Sequence, residues 1–94
     1  MQDYELIDNT EENQYEFHVG KHIAKIEYIK TVKGEIYLTH TETPIALEGQ
    51  GIASTLAKKV LEDIEEKNLR LVPLCPFVVG YIQKHPEWRK LVIR

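Results

Sequence analysis

The stretch Leu47–Ser54, which reads Leu-Glu-Gly-Gln-Gly-Ile-Ala-Ser, joins a strand-like segment ending at Pro44 to an amphipathic helix that runs to about Lys67. Its two glycines, Gly49 and Gly51, leave successive backbone N–H groups bare at the helix entrance, so a large anion can approach them closely. The helix dipole adds partial positive charge at the same point. This pattern favours a phosphate or pyrophosphate site that needs little help from lysine or arginine.

The glycine pair matches neither of the two best-known phosphate-binding loops. No Gly-Lys-Ser or Gly-Lys-Thr follows at the spacing of a P-loop. The third glycine of the dinucleotide-binding fingerprint is missing, and a proline with several extra residues separates the strand from the loop. The residues alone therefore leave two interpretations open, a phosphate site of another type or a simple tight turn.

The composition is typical of a small globular protein. The chain has 94 residues, of which 43% are apolar and 29% charged, so it can bury one core. The net charge of -3 argues against non-specific nucleic-acid binding, and no apolar run reaches the ~18 residues that span a bilayer. The first residues lack a signal-peptide hydrophobic segment, and the single cysteine, Cys75, excludes an intramolecular disulfide. We therefore expect residues 1–94 to form one cytoplasmic domain.

Alternating apolar and polar residues predict three strands in the first half of the chain. They are Gln14–Val19, His22–Lys30 and Glu35–Thr43, and the short turns between them favour an antiparallel meander. We interpret the polar residues 1–13 as a flexible lead-in or a short edge element.

The second half of the chain changes to helical spacing. Apolar residues recur every four positions from Ile52 to Ile64 and form one stripe on a helix. The apolar run Leu69–Leu74 then predicts a buried strand that returns by a parallel β-α-β crossover. Pro76 suits the first turn of a second helix, which continues over Phe77–Lys84. The predicted fold is therefore α+β, with a three-stranded antiparallel meander, a β-α-β crossover and a C-terminal helix.

Two residues near the predicted fourth strand are candidates for chemistry. Cys75 lies at the carboxyl end of that strand, where open α/β sheets bind ligands; the alternative is a small buried apolar residue. Tyr81, on the second helix, is either a proton donor to a leaving thiolate or a packed core ring. His18, His22 and His85 form no recognisable ligand set with Cys75, so we predict no metal site.

His40 is the candidate base. Simple alternation along the third strand gives two faces, with Leu38, His40 and Glu42 on one and Tyr37, Thr39 and Thr41 on the other. A histidine next to a carboxylate on the same face can accept a proton. The alternative is a half-buried histidine that bonds to a backbone group.

The order of these parts resembles the GNAT acetyltransferase superfamily. The turn consensus of that superfamily, Arg/Gln-x-x-Gly-x-Gly/Ala, falls on Glu48, Gly51 and Ala53 of this chain, and the last two positions match it. Further segments are similar to the short single-domain members of the superfamily: His40–Pro44, Leu74–Val78, Tyr81-Ile82 and His85–Trp88. The resemblance covers the chain from Gln14 to Val92.

The resemblance implies a GNAT-like α/β arrangement and an acetyl-CoA-dependent N-acetyltransferase. The pyrophosphate of acetyl-CoA would bind the backbone N–H groups of the turn and first helical residues, which are Gly49, Gln50, Gly51, Ile52, Ala53 and Ser54. The pantetheine arm would lie along Thr41, Glu42 and Thr43, with the thioester pointing toward His40 and Cys75. Two routes stay open: Cys75 takes the acetyl group and passes it on, or His40 deprotonates an amine that attacks acetyl-CoA directly. Tyr81 stays the candidate proton donor on the residue argument above, with core packing as its alternative.

The implied partners are acetyl-CoA, or coenzyme A, and an amine acceptor, either a small amine such as a polyamine or a protein lysine or N-terminus. No nucleic acid, membrane or metal is implied. Glu48 departs from the Arg/Gln consensus, so only backbone contacts to phosphate are expected there. Longer members add two strands beyond the point where this chain ends, which predicts an open acceptor site. The alternative function is a CoA-binding regulatory or interaction module without efficient turnover.

Overall fold

Residues 4–93, which the computed structural model of the protein describes, form a five-stranded sheet with two α-helices. The strands are β1 (Ile7–Asn9), β2 (Gln14–Val19), β3 (His22–Lys30), β4 (Glu35–Glu42) and β5 (Arg70–Pro73). The helices are α1 (Ile52–Glu66) and α2 (Pro76–Lys84), and 3₁₀ helices cover Ile45–Leu47 and Pro86–Leu91.

The strands lie in chain order across the sheet. β1 to β4 are antiparallel to their neighbours, and β5 lies parallel to β4 because α1 carries the chain back across the sheet. The predicted α+β fold, with its meander, crossover and C-terminal helix, is confirmed. Of the two interpretations of residues 1–13, the short edge element agrees with the structure for Ile7–Asn9, because these three residues form β1 and pair with β2 at the sheet edge.

The core lies between one face of the sheet and the two helices. The apolar stripe of α1, from Ile52 to Ile64, is buried and packs on β2 and β3. α2 buries Val78 and packs on β4 and β5. Ile23 and Ile29 of β3 point to the other face and are 42% and 59% exposed. The helices therefore cover one face of the sheet and leave polar and apolar groups of the other face open to solvent.

A polar network ties the edge strand to the end of α1. The hydroxyl of Tyr15 donates to Asp63 at 2.7 Å, and that of Tyr28 donates to Asp8 at 2.6 Å. Lys67 lies 2.8 Å from the Asp63 carboxylate and 3.1 Å from that of Asp8. Burial, followed by the bond to a carboxylate, raises the pKa of both tyrosines, so both phenols keep their protons at neutral pH. Neither phenol is therefore a base near pH 7.

A β-bulge interrupts the pairing of β3 with β4. Tyr28 pairs with Leu38 and Glu27 with His40, which leaves Thr39 without a cross-strand partner. The Thr39 hydroxyl instead donates to the carbonyl of Glu27 at 3.3 Å. Because one extra residue reverses the alternation, the side chains beyond Thr39 point to the faces opposite to those of a regular strand.

The prediction that Leu38, His40 and Glu42 share one face is therefore wrong. Thr41 pairs with the buried Ile26, so it lies on the core side together with Leu38. His40 and Glu42 lie on the outer face, and their side chains are 56% and 60% exposed. A period-two pattern cannot show this change, because the bulge residue, Thr39, is a β-branched threonine like Thr41 two positions later and fits a regular strand equally well.

Candidate functional site

The glycine turn is built by two left-handed residues. After β4 the chain forms the 3₁₀ helix Ile45–Leu47, and Gly49 and Gly51 follow with φ of +82° and +73°. Other residues adopt this conformation only with strain, so the turn requires glycine at both positions. Gly51 is the N-cap of α1, and its carbonyl accepts both the N–H and the hydroxyl of Thr55, at 3.0 and 2.9 Å.

The backbone N–H groups of residues 49–54 donate no hydrogen bond to any residue between 4 and 93. They lie beside a cavity of about 320 Å³, which is lined by Thr43, Leu47, Glu48, Gly49, Gly51, Ile52, Ala53 and Ser54. We call this the cradle cavity. Gln50 does not line it, and its side-chain amide donates to the carbonyl of Ala46 at 3.3 Å. A row of free donors at the start of a 15-residue helix fits a phosphate group.

A second cavity of about 280 Å³ adjoins the cradle cavity, because Ser54 lines both. We call it the helix cavity. Its other wall is one side of α2 and the residue after it, namely Pro76, Phe77, Gly80, Tyr81, Lys84 and His85. The two cavities therefore lie on either side of Ser54 in the first turn of α1.

Tyr81 is one of the residues that line the helix cavity. Its ring stacks on that of His85, with centroids 4.1 Å apart and an interplanar angle of 22°. The imidazole of His85 is held in turn by a hydrogen bond of 2.9 Å between Nδ1 and the Tyr81 carbonyl. Burial, and then the charges of Glu87 and Glu62, raise the pKa of the Tyr81 phenol. The phenol therefore carries its proton at neutral pH, as a proton donor must.

Cys75 is fixed at the junction of β5 with α2. Its side chain is buried, and its N–H and that of Leu74 both donate to the Leu38 carbonyl at 3.0 Å. Its sulfur lies 2.9 Å from the hydroxyl of Thr41, which the bulge turns toward the core. The structure thus brings together two predicted site residues, Cys75 and Thr41, by a side-chain contact that sequence spacing does not reveal.

His40 stands apart from the cysteine. Its Nε2 lies 3.7 Å from a carboxylate oxygen of Glu42, which is 3.8 Å from the ammonium group of Lys25. His40 lies on the outer face of the sheet, while Cys75 is buried on the core side. The predicted neighbour relation of His40 and Glu42 is observed. No contact within bonding distance joins His40 to Cys75 in the described residues.

Two kinds of feature, a membrane-spanning helix and a cluster of metal-binding side chains, are absent from residues 4–93. No helix within residues 4–93 is long and apolar enough to cross a bilayer. In that range no three or more His, Cys, Asp or Glu side chains are grouped so that they could hold a metal ion.

Comparison with known proteins supplies the family. A sequence model of the GCN5-related N-acetyltransferases matches residues 14–91. This chain belongs to that family. The matched range begins with β2 and ends with the 3₁₀ helix Pro86–Leu91, so it contains the glycine turn, Cys75 and the residues that line both cavities.

Curated proteins match this chain over part of their own length. Protein NATD1 of Homo sapiens is 39% identical over 63 residues, which are 67% of this chain and 56% of the relative. Protein NATD1 of Xenopus tropicalis is 35% identical over 63 residues, which are 67% of this chain and 58% of the relative. The match thus spans little more than half of the relatives' own length.

A solved structure agrees over nearly the whole chain. It is the NMR solution structure of a GCN5-like protein of Staphylococcus aureus, proposed to be an N-acetyltransferase. It superimposes with a TM-score of 0.73 at 26% sequence identity, and the match covers 99% of this chain and 91% of that one. The five-stranded sheet with its two helices is therefore a GNAT-like fold.

Sequence reasoning missed the α2 wall of the helix cavity. Phe77, Lys84 and His85 line it, although only Tyr81 had been singled out on this helix. A signal was present, because Phe77, Tyr81 and Lys84 are spaced four and three residues apart and so share one face of a helix. Helical spacing alone does not distinguish a face that lines a cavity from one that is buried.

Proposed function

We propose that this protein is an acetyl-CoA-dependent N-acetyltransferase that acetylates an amine. The observation that carries the proposal is the row of unbonded N–H groups of residues 49–54 beside the cradle cavity. Membership of the GCN5-related family supports it, because that family is named for N-acetyl transfer. The two positive-φ glycines support it further, since both keep the turn open toward the cavity.

The residues around the two cavities fit the parts of acetyl-CoA. The N–H groups of Gly49, Gln50, Gly51, Ile52, Ala53 and Ser54 would hold the pyrophosphate. Thr41, Glu42 and Thr43, at the end of β4 beyond the bulge, would contact the pantetheine arm. This arrangement would direct the arm from the cradle cavity toward the end of β4, where Thr41 contacts Cys75.

Acetyl-CoA supplies the acetyl group as a thioester, and transfer forms a carbon–nitrogen bond while the carbon–sulfur bond breaks. His40 would accept the proton that the amine loses, because it is exposed on the outer face where an acceptor can approach. Tyr81 would give its phenolic proton to the leaving sulfur, since its raised pKa keeps it protonated. On the second route, the Cys75 sulfur would take the acetyl group as the carbon–sulfur bond of acetyl-CoA breaks, and the thiol proton would pass to the CoA sulfur. The amine would then take the acetyl group, and the Cys75 sulfur would regain a proton.

A CoA-binding module without efficient turnover is the second candidate function. It is favoured by one observation, the separation of His40 and Cys75 on opposite faces of the sheet. A base that cannot reach the nucleophile does not activate it. In this case the cradle cavity would bind the ligand and the His40 side chain would have no part in chemistry.

Calorimetric titration with acetyl-CoA tests the binding step. The blocked variant is Ser54→Trp, because Ser54 is exposed, lines both cavities and has helical backbone geometry. A substitution at Gly49 or Gly51 would instead strain the turn, because both residues have positive φ. The matched control is Glu66→Trp at the far end of α1, which is also exposed. We expect micromolar binding, about -8 kcal/mol, that Ser54→Trp abolishes and Glu66→Trp retains.

Acetyl transfer to polyamines and lysine-rich peptides then separates the two candidate functions. If Cys75→Ala and His40→Ala bind acetyl-CoA normally but lose transfer, the enzyme assignment holds. Intact-mass analysis after incubation with acetyl-CoA decides the route, because an acetyl group on Cys75 marks the covalent one. Binding without transfer to any amine would favour the module, and absence of binding at millimolar acetyl-CoA would exclude both.

A further inference from the structure

The cradle cavity lacks a cation. None of the eight residues that line it is Lys, Arg or His, and its single ionisable side chain is the acidic Glu48. CoA carries a pyrophosphate and a separate 3′-phosphate. Backbone N–H groups can bond one phosphate group at the turn, but the remaining negative charge has no partner among these residues. A ligand with several phosphates therefore needs a cation from a neighbouring part of the surface.

Lys84 is the cation that the adjoining surface offers. It lies in the last turn of α2 and lines the helix cavity, which shares Ser54 with the cradle cavity. It is exposed, and within residues 4–93 it forms neither an ion pair nor a side-chain hydrogen bond. Lys67 and Lys90 are engaged with Asp63 and Glu65. Lys58 on α1 is also exposed, but it lines neither cavity.

We propose that Lys84, on the α2 wall of the helix cavity, binds a phosphate group of CoA. Its positive charge would compensate for Glu48, which stands where the turn consensus has Arg or Gln. This inference rests on the proposed function. The phosphate would then lie at the Lys84 side of the helix cavity, next to the cradle cavity with which it shares Ser54. A lysine suits this position, because its flexible stem lets a point charge reach phosphate oxygens on a cavity wall.

The carboxylates near the helix cavity bear on how much the charge of Lys84 contributes to CoA affinity. Glu62 and Glu87 lie close enough to raise the pKa of Tyr81, so the wall around Lys84 is not strongly cationic. Removal of the single positive charge of Lys84 should therefore lower the affinity for an anionic ligand. An exposed charge is also screened by salt, so the contribution of Lys84 should fall as ionic strength rises.

Titration calorimetry with CoA, dephospho-CoA and pantetheine tests the proposal. The variants are Lys84→Gln, Lys84→Arg and the matched control Lys33→Gln, which removes the same charge from an exposed residue in the turn at the opposite end of β4. We expect Lys84→Gln to weaken CoA binding about tenfold and to leave pantetheine binding unchanged. Lys84→Arg should keep most of the affinity, and Lys33→Gln should match the wild type.

The ligand series identifies the phosphate that Lys84 contacts. If the tenfold loss disappears with dephospho-CoA, the contact is to the 3′-phosphate; if it persists, the contact is to the pyrophosphate. Equal CoA affinity of Lys84→Gln and Lys33→Gln would overturn the inference and leave the proposed function standing, as would an equal loss for pantetheine. Absence of CoA binding by the wild type would overturn both. Thermal unfolding of each variant confirms that the exposed substitutions preserve the fold.

Discussion

Thr41 and Cys75 are 34 residues apart in the chain, and their hydroxyl and thiol atoms are 2.9 Å apart in the fold. The bulge at Thr39 makes this contact possible, because it turns the Thr41 side chain from the outer face to the core. We predict that the pair is energetically coupled. A cycle of Thr41→Val, Cys75→Ala and the double variant should give a coupling free energy of about 1 kcal/mol in urea unfolding.

The control for this cycle is Thr39→Val combined with Cys75→Ala. Thr39 is the same residue type two positions earlier, and its hydroxyl bonds the Glu27 carbonyl and not the cysteine. These two substitutions should be additive within about 0.5 kcal/mol. Additivity of Thr41→Val and Cys75→Ala as well would mean that the short contact contributes nothing to the free energy of unfolding.

Glu16 supplies a pH prediction at the same scale. Its carboxylate is buried, which alone would raise its pKa, but hydrogen bonds from His18, Gln14 and Asn9 outweigh burial and lower the pKa below its ordinary value of about 4.5. A lowered folded-state pKa means that the carboxylate stabilises the protein above about pH 4.5 and that this stability is lost as pH falls through the folded pKa.

Glu16→Gln measures this contribution. At pH 7 it should lower the free energy of unfolding by about 1.5–3 kcal/mol, the range for hydrogen bonds to a charged group. The difference from the wild type should shrink as pH falls below about 4.5, because the wild-type carboxylate is then protonated as well. Urea unfolding at stepped pH gives the curve, with Glu12→Gln at an exposed position as control. A difference that stays constant down to the acid transition would contradict the assignment.

At the scale of elements, the start of α1 and the interior of α2 use glycine for different reasons. Gly49 and Gly51 have positive φ, while Gly80 lies within α2 at helical geometry, and an added Cβ would meet nothing within 4 Å at any of the three. An added Cβ would therefore meet no steric clash at any of these three positions, and only the backbone conformation differs between them.

Substitution by alanine should consequently lower the free energy of unfolding at the two positive-φ glycines and raise it at Gly80. Gly49→Ala and Gly51→Ala should each destabilise by about 1–2 kcal/mol through left-handed strain. Gly80→Ala should stabilise by about 0.5–1 kcal/mol, because helix interiors favour alanine. Thermal and urea unfolding of the three variants check this. Stabilisation by Gly51→Ala would show that the turn does not hold its left-handed geometry in solution.

The elements also show what the sequence could predict. The long apolar stripe of α1 and the alternation of β2 and β3 have strong periodicities, so their positions followed directly from the residues. β1 has only three residues, and its place depends on contacts remote in the chain, such as Tyr28 with Asp8. The face of His40 depended on a bulge that leaves no mark in the residue pattern. Periodicity therefore predicted the elements, and non-local pairing decided the details of the site.

At the scale of the whole molecule, the candidate site joins parts of the fold that are distant in sequence. The end of β4, the start of α1 and one side of α2 line the two cavities, and the 3₁₀ helix Pro86–Leu91 packs against both helices. Burial of one continuous core couples these parts. A ligand held across them should thus stabilise the whole domain, because it binds the folded state and not the unfolded chain.

We predict that acetyl-CoA raises the melting temperature of the protein. At a concentration about 100 times its Kd, a ligand specific for the folded state adds about 2.7 kcal/mol, and for a chain of this size each kcal/mol corresponds to about 4–8 °C. The expected rise is therefore about 10–20 °C by differential scanning fluorimetry. Glu66→Trp should show the same rise, and Ser54→Trp, which fills the point shared by the two cavities, should show none. An equal rise in Ser54→Trp would place the ligand elsewhere on the molecule, and no rise in the wild type would remove the cradle cavity as a CoA site.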